Sequence, residues 1–236
     1  MIGFFKKIQV DPHDVDFNGV CRASSLMKYI QSAADNQLTE SGMSYDALKN
    51  QNRAFIISKI RLEFSEAAYA YDELRAQTFP CISRGYSFIR CYALYKGEKM
   101  IGRAISIWAL IDTEQRKLIK VNDFELGLSV YEPWDMALTY SRLPDNMRHA
   151  GQYTVCYSDI DRNMHINNTR YADIFSNFLP LSNKRIDELT VNYVNEAKYR
   201  DVLDVFIAND NDTYYLKTVG ADGKVNAEAQ IHLTDI

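Results

Sequence analysis

The chain is organised around the segment that runs from Tyr157 to Asn168 and the helix that follows it. Its sequence is Tyr157-Ser158-Asp159-Ile160-Asp161-Arg162-Asn163-Met164-His165-Ile166-Asn167-Asn168. Asp161, Asn163 and His165 lie two residues apart, and no hydrophobic period runs through the segment, so we interpret it as a loop. Because Asp and Asn are frequent turn formers, the more common role of such a loop is structural.

A helix is predicted directly after this loop. Its apolar side chains follow the spacing of one buried helical face: Tyr171, Ile174, Phe175 and Phe178. Asn167 or Asn168 is a suitable N-cap, and Pro180 marks the end of the helix. The polar residues of the loop would then lie at the positive end of a mostly buried helix, where amide N–H groups can stabilise a polarised carbonyl oxygen.

Composition is that of a globular protein. The chain has 236 residues, of which 47% are hydrophobic and 25% are charged. With a net charge of −4, bulk electrostatics favours neither a nucleic acid nor an anionic membrane as a partner. The chain shows no apolar run long enough to span a membrane, and the opening residues do not resemble a signal peptide.

The cysteines and histidines are dispersed along the chain. The four cysteines are Cys21, Cys81, Cys91 and Cys156. They show neither paired metal spacing nor a disulfide-dense pattern, so we expect reduced thiols in a cytoplasm. No two of the four histidines are spaced for a shared metal, and neither a metal nor another cofactor is expected.

The first half of the chain is predicted to be a strand, a loop, a helix and four further strands. The strand covers Phe4 to Val10, and the helix runs from about Ser25 to Gly42. The further strands are predicted at Phe55–Phe64, Leu74–Phe79, Tyr86–Tyr95 and Met100–Ile111, the last two joined by a hairpin turn.

The second half repeats this order. Its strands are predicted at Thr154–Tyr157, Leu189–Tyr193, Val202–Ala208, Tyr214–Val219 and Val225–Leu233. Asp16 and Asn18 lie 145 positions before Asp161 and Asn163. With an offset of 129, Phe64, Asp72 and Leu74 correspond to Tyr193, Asp201 and Leu203. In each half, a sheet that curls around one apolar helix is the simplest way to bury both, which predicts an α+β fold.

The loop resembles a known family signature. The run from Asp161 to Asn168 is similar to the Asp-x-Asn-x-His-(Val/Ile)-Asn-Asn motif of the acyl-acyl-carrier-protein (acyl-ACP) thioesterases of plants and bacteria, and the likeness extends over nearly the whole chain. The resemblance implies a tandem, or double, hotdog with two long helices, each wrapped by a curved antiparallel sheet. It implies an N-terminal hotdog at residues 1–130 that binds the acyl tail, a connecting segment at 131–150, and a catalytic C-terminal hotdog at 151–236.

The resemblance also implies a set of catalytic residues: Asp161, Asn163, His165 and Glu196. The first half has Val20 opposite His165, which can neither ionise nor donate a hydrogen bond, so one site per chain is expected. Asp16 and Asn18 are interpreted as turn formers. Glu196 ends an apolar strand, where desolvation could raise its pKa toward a value useful for a general base.

One residue departs from the family pattern. Plant members typically carry a cysteine directly after the glutamate, and here that position is Ala197. Cys156 is predicted to lie in the middle of a strand as a small buried hydrophobe. We therefore expect hydrolysis by an activated water. Either Glu196 or Asp161 could be the general base, and the sequence does not decide between them.

The expected function is hydrolysis of a fatty acyl thioester on acyl carrier protein. One alternative is an acyl-coenzyme A thioesterase, and another is a non-catalytic acyl-binding hotdog protein. Because the carrier protein is acidic, a basic surface formed by Lys184-Arg185 or Lys198-Tyr199-Arg200 would favour the first function. A homodimer is one option for assembly, and neither nucleic acid nor membrane is expected as a partner.

Two further sets of residues carry predictions. The acyl tail is expected to run along the first helix, against Met27, Ile30, Ala33, Ala34 and Leu38, although packing of the core is an equally good role for each. The connecting segment is expected to pack on the sheet through Trp134, Met136, Leu138 and Tyr140.

Overall fold

The computed structural model describes residues 2–138 and 143–236 of the chain. The first half contains β1 (Phe4–Gln9), α1 (Ala23–Glu40), α2 (Tyr45–Lys49), β2 (Arg53–Phe64), β3 (Glu73–Pro80), β4 (Phe88–Lys96), β5 (Lys99–Asp112) and β6 (Lys117–Ile119). The second half contains β7 (Arg148–Thr154), α3 (Arg170–Ser176), β8 (Lys184–Tyr193), β9 (Val202–Asp210), β10 (Thr213–Val219) and β11 (Val225–Asp235).

The strands of the described residues form one antiparallel sheet. Its order is β1-β3-β4-β5-β2-β8-β11-β10-β9-β7, and β6 pairs with β5 outside this path. The order of the first half is mirrored in the second, with β2 and β8 as the central pair that joins the halves, in the register Lys59 opposite Asn192. This symmetry confirms the predicted repeat and gives a hotdog-type architecture.

Helix α1 is the long central helix of the first half. It buries a stripe that includes Met27, Ile30 and Ala33, each at most 1% exposed, and packs against β1, β3 and α3. Gly42 lies just beyond its end with φ +82°, a conformation that glycine adopts without steric cost. The predicted helix is therefore confirmed, with a start two residues earlier.

The expectation of two long helices is wrong, because α3 has seven residues and α1 has 18. The amides of Phe178 and Leu179 donate to the carbonyls of Phe175 and Ser176, so the chain tightens into a turn before Pro180. The N-cap is Thr169 and not one of the two asparagines predicted. Most of the expected face of α3 is buried: Tyr171, Ile174 and Phe175.

Three short elements differ from the sequence prediction. The strand expected at Thr154–Tyr157 is β7, which ends at Thr154, and a 3₁₀ turn covers Tyr157–Asp159. Because β7 is an edge strand with largely exposed or half-buried side chains, it has no alternating apolar pattern from which to predict it. Helix α2 and strand β6 were not expected.

The connecting segment packs on the outer face of the sheet. Trp134 stacks edge-on against Phe79 with ring centroids 5.4 Å apart, and its Nε1 donates to the carbonyl of Tyr92 at 3.2 Å. Met136 is buried in the same cluster, and Leu138 is half-buried against it. The packing predicted for these three residues is confirmed, whereas Tyr140 lies outside the described residues.

None of the described helices is long and apolar enough to cross a membrane.

Candidate active site

The loop that follows β7 is a closed turn. The amide of Asp161 donates to the carbonyl of His165 at 3.0 Å, and the amide of Met164 donates back to the carbonyl of Asp161 at 3.0 Å. Met164 adopts φ +65°, which is costly for a residue with a Cβ and allows the chain to reverse within four residues. The side chains of the predicted site therefore project from one compact turn.

The base of this turn is fixed by Asp159, whose side chain is fully buried. Its carboxylate accepts hydrogen bonds from the Cys156 amide at 2.8 Å and the Tyr153 hydroxyl at 2.7 Å, and it pairs with Arg170 Nε at 3.2 Å. Burial together with the bond to Asp159 raises the pKa of Tyr153. Asp159 therefore serves the turn as an anchor.

Glu196 reaches the turn from the segment after β8. The amide of Ile166 donates to the carbonyl of Ala197 at 2.9 Å, which draws the two segments together. His165 Nε2 lies 2.9 Å from Glu196 Oε2, so the imidazole and the carboxylate form a pair. The Glu196 side chain is 62% exposed, and the desolvation expected for it is wrong because the residue lies three positions beyond the end of the strand.

Asp161 and Asn163 contact each other. The backbone amide of Asn163 donates to Asp161 Oδ1 at 2.8 Å, and Asn163 Nδ2 lies 3.5 Å from Asp161 Oδ2. The second distance is too long for a strong hydrogen bond, so the Nδ2 group retains donor capacity. The structure thus gathers the four predicted side chains as two contacting pairs on adjoining segments.

Sequence reasoning missed two residues beside this site. The hydroxyl of Tyr45 on α2 donates to Asn163 Oδ1 at 2.8 Å, and the guanidinium carbon of Arg162 lies 3.2 Å from the centroid of the Tyr45 ring. Ser44 as an N-cap with Asp46 in the first turn is a local signal that could have revealed α2. No local signal could have revealed the contact with Asn163, which is 118 residues away.

Three amide groups near the start of α3, where an oxyanion site was expected, already have partners within the protein. The amide of Thr169 donates to Asn167 Oδ1 at 3.0 Å, and the amide of Arg170 donates to the Asn167 carbonyl at 2.8 Å. The amide of Asn167 itself donates to the carbonyl of Asp159. Because these amides already have partners, the helix start offers none of them to a substrate.

A cavity of about 880 Å³ opens beside the four polar residues, and both halves line it. Its apolar wall comes mainly from the first half: Ala34, Leu38, Leu48, Phe55, Ile57, Phe88 and Trp108. Of the five residues expected to hold an acyl tail, Ala34 and Leu38 lie on this wall. Met27, Ile30 and Ala33 are instead packed in the core.

No cysteine is among the described residues that line the cavity. Cys156 is exposed and follows the end of β7, so its predicted place inside a strand is wrong. Burial raises the pKa of the Cys21 thiol to about 12. Ala197, at the position of the plant cysteine, is buried.

Among the residues that the structure describes, one group of side chains has ligand atoms close enough for a metal ion. The ligand atoms of Asp11, His13 and Asp14 lie within 4.8 Å of one another, at the surface of the first half. The carboxylate of Asp14 already accepts hydrogen bonds from Tyr29 and Ser25, at 2.6 and 2.9 Å. This group is remote in sequence from the cavity and is not among its lining residues.

The hotdog-type fold, with a carboxylate–imidazole pair at an acyl-sized cavity, is that of a thioester hydrolase. Two family models match the chain: the acyl-ACP thioesterase N-terminal domain over residues 3–126 and the acyl-ACP thioesterase C-terminal domain over residues 143–234. The chain therefore belongs to the acyl-ACP thioesterase family, and it is an enzyme that hydrolyses acyl-ACP thioesters.

The chain is also similar to known relatives in sequence and to solved structures in fold. The chain is 22% identical to an oleoyl-acyl carrier protein thioesterase of Coriandrum sativum, over 97% of this chain and 69% of the relative. It superposes on an acyl-ACP thioesterase from Bacteroides thetaiotaomicron with a TM-score of 0.88 and 24% identity, covering 98% and 97% of the two chains. A 12:0-ACP thioesterase from Umbellularia californica gives a TM-score of 0.84 at 15% identity, covering 99% and 97%.

Proposed function

We propose that the chain hydrolyses a fatty acyl thioester of acyl carrier protein by direct attack of water, at a site formed by Asp161, Asn163, His165 and Glu196. The observation that carries this proposal is the 2.9 Å contact between His165 and Glu196 on the wall of the cavity. The absence of a thiol at Ala197, and from the described cavity lining, favours water over a cysteine nucleophile.

Glu196 is the general base of this proposal. Its Oε2 is engaged by His165, and its exposed fraction leaves the second oxygen accessible to a water molecule from the cavity. Both oxygens of Asp161 face Asn163, so Asp161 serves to position the amide. The imidazole of His165 orients the Glu196 carboxylate and stabilises its charge.

Asn163 is the donor to the thioester carbonyl. Tyr45 occupies Asn163 Oδ1, which fixes the orientation of the amide and leaves Nδ2 to donate. The developing oxyanion would accept this hydrogen bond, a contribution of the kind that is worth about a hundredfold in rate or more. Tyr45 is therefore a positioning residue that the first half contributes to the site.

The reaction balances with these groups. The water oxygen attacks the carbonyl carbon as Glu196 accepts its proton, and the negative charge moves to the carbonyl oxygen. When the carbonyl re-forms, the carbon–sulfur bond breaks and the proton passes to the departing thiolate of the carrier. The products are a free fatty acid and the carrier thiol, and Glu196 is restored.

The acyl tail occupies the apolar side of the cavity, in the half proposed to bind it, residues 1–130. Ala34 and Leu38 of α1 line that wall with Phe55 and Phe88. Because the catalytic set comes from residues 151–236, the tail would cross from the second half into the first. Enlarging Ala34 to Phe is expected to shift the preference toward shorter chains by several-fold per carbon, since each buried methylene contributes about 0.8 kcal/mol.

An acidic carrier protein would dock on basic residues near the mouth of the cavity. Lys198 and Arg200 follow Glu196 directly and are exposed, whereas Lys184 pairs with Asp212 and Arg185 bonds to backbone carbonyls. We therefore assign the docking surface to Lys198 and Arg200 rather than to the other basic pair. Attraction to such a surface acts mainly on the rate of association.

The test is steady-state hydrolysis of acyl-ACP and acyl-coenzyme A panels from short to long chains. Changing Lys198 and Arg200 to Glu is expected to raise KM for acyl-ACP about tenfold, while KM for acyl-coenzyme A stays within about twofold. The exposed Lys28→Glu on α1, which does not line the cavity, is the matched control. A chain that cleaves acyl-coenzyme A as efficiently as acyl-ACP would contradict the assignment of the carrier.

A cytoplasmic location is also part of the proposal. All four cysteines are in the thiol form, which suits a reducing compartment, although the plant relatives are chloroplastic. Assembly as a homodimer stays a prediction, which light scattering of the purified chain would test.

A further inference from the structure

The cavity that would hold the acyl tail has polar groups in its wall. Gln31 and Asp35 lie one helical turn apart on α1, and both line the cavity. Arg90 of β4 lines it from the sheet, beside the apolar side chains of Phe88 and Ile89. A wall built only for a hydrocarbon chain has no use for these groups, because a polar group that an acyl chain covers loses its contact with water and gains no partner.

Arg90 is buried and only partly engaged. Its side chain is among the buried set at 7% exposure, and its Nη1 donates to Gln37 Oε1 at 2.6 Å and to Thr78 Oγ1 at 3.0 Å. A guanidinium carries five N–H donors, and the Nε and Nη2 groups of Arg90 donate to no described residue. Donor capacity therefore remains on a cation that is almost removed from solvent.

Asp35 and Gln31 also lack partners. Among the described residues, none forms a hydrogen bond or ion pair with the Asp35 carboxylate, and Gln31 Nε2 is buried without an acceptor. Asp35 is exposed where the cavity opens, and partial desolvation by the surrounding protein raises its pKa against the opposing charges of Arg162, Arg90 and Lys6. Asp35 and Arg90 thus interact through space across a gap that is wider than an ion pair.

The sheet register places the Arg90 side of this gap far from the thioester. Phe88 of β4 lies opposite Trp108 of β5, and Trp108 lies opposite Ile57 of β2. Strand β2 in turn pairs with β8. Arg90 is therefore three strands from β8, the strand that leads to Glu196. Three strand spacings amount to roughly 14 Å, which corresponds to the distal part of an acyl chain and not to its carbonyl end.

We propose that the cavity recognises an acyl chain that carries a hydroxyl group in its distal part, held between Arg90 and Asp35. This inference rests on the proposed function, since the acyl tail must enter the first half. A hydroxyl both accepts and donates, so it matches the guanidinium donors and the carboxylate acceptor together. A keto group would leave Asp35 unpaired, a second carboxylate would face the charge of Asp35, and an amine would face the charge of Arg90.

The experiment compares kcat/KM for matched acyl-ACP substrates of one chain length. One chain is unsubstituted, one carries a hydroxyl near the methyl end, and one carries a hydroxyl on the β-carbon. We expect the distal hydroxyl to be preferred over the unsubstituted chain by about tenfold or more, because a site that hydrogen-bonds a substrate hydroxyl rejects the analogue without it. The β-hydroxyl chain should gain no such preference.

A pair of variants separates recognition from general damage. Asp35→Leu should remove the preference and raise kcat/KM for the unsubstituted chain several-fold. The matched control is Asn36→Leu, an exposed position on the same helix outside the cavity lining, which should leave the ratio unchanged. An Arg90→Gln variant is made alongside Asp35→Leu. Because Arg90 is buried, the folding of Arg90→Gln is checked by thermal unfolding.

The outcomes are distinguishable. Equal rates for the three substrates, or a preference for the unsubstituted chain, would overturn the inference while leaving the thioesterase proposal intact. A uniform loss in Asp35→Leu for every substrate would also overturn it, because the polar groups would then serve the shared carrier arm. Failure to hydrolyse any acyl-ACP would instead overturn the proposed function.

Discussion

The two halves of the chain build the same turn from different side chains. In the first half the amide of Asp16 donates to the carbonyl of Val20 at 2.8 Å, as the amide of Asp161 donates to His165. The reversal is made by Gly19 with φ +78° in one turn and by Met164 with φ +65° in the other. Since the backbones correspond, the difference in chemistry lies in what the side chains meet.

The asparagines show this difference most clearly. Asn18 Nδ2 donates to the carbonyls of Leu181 at 2.7 Å and Lys184 at 3.2 Å, so both of its amide hydrogens brace the connection between α3 and β8. Asn163 instead receives a hydrogen bond from Tyr45 and keeps donor capacity at Nδ2. Each turn thus contacts the opposite half, but one contact is a brace and the other leaves a donor at the cavity.

The ionisable pair also belongs to one half. The amide of Cys21 donates to the Ala68 carbonyl, as the amide of Ile166 donates to the Ala197 carbonyl, so Ala67 occupies the place of Glu196. Val20 is the counterpart of His165. Because the framework persists in both halves and the ionisable pair does not, the comparison supports the proposal that the chemistry lies in the second half.

The asparagine comparison predicts the largest separation of effects. Asn163→Ala should lower kcat by about a hundredfold with little change in stability, because it removes the donor to the oxyanion. Asn18→Ala should instead lower the free energy of unfolding by about 1–3 kcal/mol, because two carbonyls lose their partner, and the folded protein should turn over normally. Denaturant unfolding and steady-state kinetics check the pair, and similar kinetic losses in both variants would contradict the distinction.

A smaller effect is expected at the contact between the halves. Tyr45→Phe should lower kcat about tenfold at nearly unchanged KM, because the ring still stacks on Arg162 while the hydroxyl that holds Asn163 is lost. In the background of Asn163→Ala the same change should have no further effect. Additive losses in this double-mutant cycle would show that Tyr45 acts without Asn163.

The smallest effect is expected for the cysteines. A variant with Cys21, Cys81, Cys91 and Cys156 changed to Ala or Ser should retain kcat within a few-fold, although loss of the three buried thiols should lower its melting temperature. Mass spectrometry during turnover offers the check. An acyl group trapped on a cysteine would contradict attack by water.

Local patterns accounted for the predictions that the structure confirms. The apolar period of α1, the glycine at its end and the repeated order of strands are properties of neighbouring residues, so the chain predicts them directly. The short length of α3 was not predicted. Pro180 sets the last position that the helix could reach, but it does not reveal that the helix ends earlier in a tighter turn. The sequence also could not divide the apolar residues of α1 into core residues and cavity residues, since Ile30 in the core and Leu38 on the cavity wall follow the same helical period.

The site was harder to predict where it depends on distant contacts. The resemblance named the four polar residues, and the structure brings them to one cavity. The resemblance could not indicate Tyr45, which contacts Asn163 from the other half of the chain. Nor could it indicate the exposure of Glu196, because that exposure depends on where β8 ends. Polar groups such as Arg90 give no signal in a strand, because their surroundings are assembled from several elements.

The most direct test converts the second half into the likeness of the first. A His165→Val and Glu196→Ala double variant carries the residues found at Val20 and Ala67, and its release of free fatty acid from acyl-ACP is measured beside that of the unchanged chain. We expect a folded protein that still binds acyl-ACP and has lost at least about a hundredfold in kcat. Turnover close to normal by that variant would contradict the placement of the chemistry in the second half.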